Sequence, residues 1–146
     1  MIAAVAVAAG LAGCGSGSLS DTQLRARAER ICQAAQRRTS RVASPTAPTA
    51  AQATAFLAGG VAALAPAQRA LSRLHPPPDA RAALRSGVGA LGDELEALRA
   101  SLQDVRAGRN PVAAIRELQR HLHGPERRAA RAFETLGARD CAALTA

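Results

Sequence analysis

Leu84, Val88, Leu91, Leu95, Leu98, Leu102 and Val105 recur at alternating steps of four and three over three heptads. Apolar side chains at that period fall on one stripe of an α-helix, whereas a strand would need alternation at every second residue. A helix carrying such a stripe must bury it against other helices, so this stretch restricts the chain to an all-α bundle. Asp79 suits the positive start of the helix, and Gly108 after Ala107 can take the left-handed conformation that stops it.

Three further helices can be read around this one. Ser20-Asp21-Thr22-Gln23 is a capping box, and Leu24, Ala28, Ile31, Ala35 and Val42 continue on one face until Ser44-Pro45 ends the helix. Thr49-Ala50-Ala51-Gln52 is a second box. It opens a stripe of Ala53, Phe56, Leu57, Gly60, Val61, Leu64, Leu71 and Leu74 that closes at His75-Pro76-Pro77-Pro78, with Pro66 predicting a kink or break. Asn110-Pro111 caps and opens a fourth helix with the stripe Val112, Ile115, Leu118, Leu122, Ala129, Phe133 and Leu136. Gly124-Pro125 predicts a second kink there, and Gly137 closes the helix ahead of a short tail bearing Cys141. Four long helices with short connections favour an up-down-up-down four-helix bundle, in which the first and last helices are neighbours.

Ahead of the bundle lies the apolar run Ile2–Gly13, too short to span a bilayer and about the length of a signal-peptide core. It ends in Leu11-Ala12-Gly13-Cys14 and is followed by Gly15-Ser16-Gly17-Ser18. These four residues resemble the lipobox of bacterial lipoproteins, whose Cys is acylated and becomes the mature N-terminus. The resemblance implies cleavage after residue 13, acylation of Cys14, a flexible tether over 14–19 and a bundle domain over 20–146. One departure is that only the Met1 amino group is positive ahead of the core, and a start site further upstream would supply the usual Lys or Arg.

With Cys14 assigned to the lipid, Cys32 and Cys141 remain. In an oxidising compartment they form a disulfide; the alternative is two unpaired buried thiols. Bridged, they close a loop of about 110 residues. A cross-link matters because the 48% apolar content is mostly Ala, which buries little area per residue.

All 19 basic residues are Arg, and the net charge is +8. With so much Ala this reads as the codon habit of a GC-rich genome. There is no Trp or Tyr, and the two Phe sit on helix stripes, so bases have nothing to stack on and no nucleic acid is expected as a partner. The first helix carries Arg25, Arg27, Arg30, Arg37, Arg38 and Arg41 against Asp21 and Glu29. Following the tether directly, it would lie near anionic headgroups, each Arg at the surface contributing roughly 1 kcal/mol. The alternative is a solvated helix face. Arg127, Arg128 and Arg131 could join it.

Residues able to do chemistry are few. His121 and His123, two apart, point to different sides of a helix, and Glu117 with His121 reads as an exposed pair. A metal site in a bundle needs several inward carboxylates, and Glu29, Asp93, Glu94, Glu96 and Asp104 lie mostly off the apolar seams. No Gly-x-Ser-x-Gly elbow is present. Neither catalysis nor a cofactor is expected.

Ala28-Glu29-Arg30-Ile31-Cys32-Gln33-Ala34-Ala35, the Leu74-His75-Pro76-Pro77 junction, and Leu136-Gly137 followed by Asp140-Cys141 resemble a group of small secreted helical proteins of GC-rich actinobacteria, often lipoproteins. The resemblance implies the same helical fold, lipid anchor and Cys pairing, and adds nothing on function. The expectation is a lipid-anchored protein at the outer face of the cytoplasmic membrane, with a structural or interaction role toward envelope proteins or anionic phospholipid. The rival expectation is a carrier or sensor holding a small apolar ligand or a metal between the helices.

Overall fold

A computed structural model describes residues 17–144. Among them the chain is all-α: α1 (Asp21–Thr39), α2 (Ala50–Ser72), a short 3-10 turn (Pro78–Ala80), α3 (Arg81–Arg106), α4 (Pro111–Thr135) and α5 (Arg139–Leu144). The main helices pack in sequence, α1 on α2, α2 on α3 and α3 on α4, while α5 lies on both α4 and α1.

The helix starts follow from their caps. The Ser20 and Thr49 hydroxyls accept from the Gln23 and Gln52 amides, and each Gln reaches back to the cap N–H, so both capping boxes are closed. Asn110 Oδ1 accepts from Ala113 N–H at 3.0 Å. Gly108 (φ +93°) and Gly137 (φ +68°) take the left-handed turns at the ends of α3 and α4.

Three local expectations need correction. α1 stops at Thr39 rather than Ser44, because Thr39 and Ser40 turn their hydroxyls onto the Gln36 and Arg37 carbonyls. Val42 therefore lies beyond the helix, packed over Gly59 of α2. Pro66 does not break its helix, since α2 runs through it, and α4 likewise continues through Pro125. The carbonyls that lose a partner belong to Ala62 and His121, both exposed residues where water can replace the missing N–H. Val112 is exposed, and Ala114 takes the buried place at the start of α4.

The core has two parts. One gathers Leu24, Ala28, Cys32, Leu71, Leu84, Leu91, Phe133 and Cys141; the other gathers Ala53, Leu57, Leu98, Leu102, Val105 and Leu118. No α1 residue belongs to the second part, so there α2, α3 and α4 form a three-helix layer. α2 is the one helix, among the described residues, long and apolar enough to cross a membrane by length and composition. Its apolarity is largely alanine, and it buries Ala53, Leu57 and Leu71 completely against the bundle.

α3 is central and has two seams. The expected stripe faces one side, while Gly87, Ala90, Glu94 and Ser101 are also buried at helical spacing. The Phe133 ring of α4 lies directly over Gly87, and a Cβ there would sit 2.8 Å from its Cζ. Phe133 is fully buried and cannot swing aside. Gly87→Ala gains about 1 kcal/mol of helix propensity but overpacks the core by about 1–3 kcal/mol. A net loss of stability of up to about 2 kcal/mol in urea denaturation is the expected result, and a stabilised variant would contradict this packing.

The tail after Gly137 is a docked helix. Cys141 is disulfide-bonded to Cys32 across a sequence separation of 109, with both residues fully buried. Around the bridge, Gln33 Nε2 donates to Asp140 Oδ2 at 2.7 Å and Gln36 Nε2 donates to the Asp140 carbonyl at 2.8 Å. Glu29 Oε1 accepts from Arg139 N–H at 2.8 Å. It is through α5 that α1 is chiefly tied to the end of the chain, rather than through the direct α1–α4 neighbour relation the connections predicted.

Candidate functional site

Leu11–Cys14 lie outside the described residues, so the nearest described part of the tether is Gly17–Leu19. Leu19 N–H donates to the His75 carbonyl at 2.8 Å, and the Leu19 side chain packs on the core. The tether is thus seated on the α2–α3 junction. Beside it opens a cavity of about 380 Å³ lined by Gly17, Ser18, Leu19, Gln23, Arg27, Arg73, Leu74 and His75. The start of α1, the start of α3 and the end of α4 share this end of the bundle, since Asp21, Leu24, Arg25, Asp79, Ala83, Thr135 and Leu136 line a neighbouring cavity of about 240 Å³.

The six arginines of the first segment do not form one face. At about 100° per residue, Arg30 and Arg37 point away from the buried side of α1, Arg27 and Arg38 lean toward α2, and Arg25 leans the opposite way. Arg25 lies against Gly137, in a cavity that Asp21 and Asp79 also line. Arg41 falls after the helix and lines a groove of about 440 Å³ with Val42, Pro45, Phe56 and Gly59. Thr39 lies about 27 Å along the helix from Asp21, well beyond a Debye length of about 8–10 Å. Arg37, Arg38 and Arg41 are therefore electrostatically remote from the tether. Arg128 is paired with Asp93 of α3 and is not a free addition to a basic face.

Both histidines considered for a metal lie beside carboxylates of their own helix. Glu117 bonds Arg120, and its Oε1 lies 3.2 Å from His121 Nε2. The Arg120 hydrogen bond and charge, with His121 adding, hold the Glu117 carboxyl below the usual carboxylate range. His123 Nδ1 lies 3.9 Å from Glu126. Among the described residues no group of three or more His, Cys, Asp or Glu is placed to hold a metal ion. Open grooves with mainly apolar walls lie on the surface at Phe56 beneath residues 41–45, about 440 Å³, and at Leu74, Pro76, Leu84 and Val88, about 280 Å³.

Glu94 is the ionisable residue whose placement the sequence pattern missed. It is only 5% exposed, and its Oε1 finds no hydrogen-bond partner among the described residues. Burial pushes its carboxyl up to about 8, with the charges of Glu126 and Asp93 acting in the same direction and Arg128 opposing. A signal was available: Glu94 is seven residues from both Gly87 and Ser101, in a seam made of residues too small or polar to look apolar. On α1, Glu29 is held above its ordinary value chiefly by its hydrogen bond with Asp140. The same bond, with Gln33, holds Asp140 below its own.

The chain matches no protein-family model, no curated protein and no solved structure.

Proposed function

We propose that the chain is an exported lipoprotein, acylated at Cys14 and held at the outer face of the cytoplasmic membrane, with a non-enzymatic structural or interaction role in the envelope. The observation that carries this reading is the Cys32–Cys141 bridge. It is the state expected in an oxidising compartment, and it consumes two of the three cysteines. Cys14, following Leu11-Ala12-Gly13, is the one thiol left to take a lipid. The seating of Gly17–Leu19 on the bundle supports the same reading, since it holds the folded body within a few residues of the proposed anchor. Short connections at 73–77 and 107–110 support an up-down-up-down order for the four main helices. The resemblance to small secreted actinobacterial proteins belongs to this proposal and is consistent with it.

Membrane attachment then rests on two signals, the acyl chains and cationic side chains near the tether. Only the tether-proximal arginines fit that role in an upright bundle. Metabolic labelling with a fatty-acid analogue tests the reading. The wild-type chain should take up label, Cys14→Ser should lose all of it, and a Cys32→Ala/Cys141→Ala variant should keep it. Label that persists in Cys14→Ser, or a wild-type chain that takes up none, would remove the anchor.

A further inference from the structure

We infer that the cavity beside the tether, walled by Arg27, Arg73 and His75, is a phosphate-binding site. Its ligand is the headgroup of an anionic phospholipid in the leaflet that holds Cys14. The inference deepens the proposed function and rests on it for the source of the phosphate.

Charge sets this cavity apart. Among the arginine-bearing cavities, the one at Arg25 also contains Asp21 and Asp79, the one at Arg128 contains a guanidinium already paired with Asp93, and those at Arg41 and at Arg81 and Arg85 are walled mainly by apolar surface. The cavity beside the tether brings together Arg27 from α1 and Arg73 from the end of α2, and no Asp or Glu lines it. Neither guanidinium takes part in an ion pair among the described residues. Two planar forks facing one polar cleft suit the tetrahedral oxygens of a phosphate, each able to give paired N–H donors. His75 adds a ring N–H, and the Ser18 hydroxyl adds a further donor. The site is also held in shape, because the Leu19–His75 bond clamps the tether to the junction that carries Arg73 and His75.

Chain length then selects the source. Gly17 is three residues after Cys14. Three extended residues span at most about 10–11 Å. An acylated Cys14 would therefore hold the mouth of the cleft at headgroup depth, where phosphodiesters are the most concentrated anions. At the wall of the cleft, Leu19 and Leu74 offer apolar surface toward the glycerol side of such a ligand.

The test uses the full chain in a non-ionic detergent, following the His75 imidazole resonances by NMR. They are distinguished from His121 and His123 by His→Gln variants. Dihexanoyl phosphatidylglycerol is titrated in one arm and inorganic phosphate in the other. The lipid should give a saturable shift at His75, while His121 and His123 stay still. Arg27→Gln and Arg73→Gln should each weaken binding by about tenfold or more, and Arg30→Gln, on the outward face of the same helix, by less than about twofold. A motionless His75 overturns the site. So does an Arg30→Gln loss equal to that of Arg27→Gln, which would mean diffuse attraction. Inorganic phosphate binding as tightly as the lipid overturns the headgroup as ligand. Because the titration needs no acyl anchor, its failure is separable from failure of the lipoprotein reading, which the labelling experiment decides.

Discussion

Replacing both Cys32 and Cys141 by Ala is expected to remove about 4–5 kcal/mol of stability, the chain-entropy value for a loop of this size. The bridge spans 109 residues, so it confines nearly the whole unfolded bundle. Its weight is large because the rest of the core is thin. Of the 25 buried apolar residues among those described, 12 are Ala, and Ala contributes little buried area to offset the entropy of folding. A domain typically has only about 5–15 kcal/mol in total, so the variant should unfold at a much lower urea concentration. The loss should also be local in the native state. α5 has six residues and is held by the bridge and by the Glu29, Gln33 and Gln36 contacts. Amide exchange at residues 139–144 should therefore accelerate far more than exchange along α3. A loss below about 1 kcal/mol, or unchanged protection of α5, would show that the bundle does not depend on its cross-link.

The second large effect is a pH dependence that originates at Glu94. Its carboxyl sits near 8 in the folded chain against an ordinary 4.5. Between those values the folded state holds a proton that the unfolded state has released, so stability falls as pH rises through this window. One proton sets a ceiling of about 1.4 kcal/mol per pH unit. Accumulated from pH 4.5 to about 8, it amounts to roughly 4 kcal/mol. Glu94→Gln keeps the volume and cannot ionise. Wild type and variant should therefore run parallel below about pH 4.5, and above it the wild type should lose stability relative to the variant up to about pH 8. Glu126, Asp93 and Arg128 surround Glu94 in both proteins. The Glu29–Asp140 pair and Glu117 titrate in both as well, so the difference between the two curves isolates Glu94. Curves that stay parallel to pH 9 would place Glu94 in water rather than in the α3–α4 interface.

The local chemistry of this fold is written plainly in the chain. Ser20 with Gln23, Thr49 with Gln52, and Asn110 with Pro111 mark helix starts because each satisfies backbone donors within a few residues. Gly108 and Gly137 mark stops because their positive φ suits a residue without a Cβ. The α3 stripe is legible from its local period, and the pairing of Cys32 with Cys141 from the count of cysteines once Cys14 is set aside. What escapes is set by packing between elements. The burial of Glu94 requires knowing that α3 is covered on two sides, and its second seam of Gly87, Ala90 and Ser101 carries almost no hydrophobic signal. The docking of α5 depends on Asp140 meeting Gln33 and Gln36, more than 100 residues away. The basic first segment looked continuous because six Arg lie within 17 residues, yet helical rotation sends Arg25 and Arg27 to opposite flanks. Arg73, which completes the tether cleft with Arg27, carried no signal of its own; only the fold brings the two together.

The proposed anchor and the role built on it depend on what is attached to Cys14. Intact-protein mass spectrometry of the chain recovered from membranes, followed by sequencing of its N-terminal tryptic peptide, reads this directly. The expected peptide begins at Cys14, ends at Arg25 and carries the mass of a diacylglyceryl group. An unmodified peptide that still begins at Met1 would contradict it.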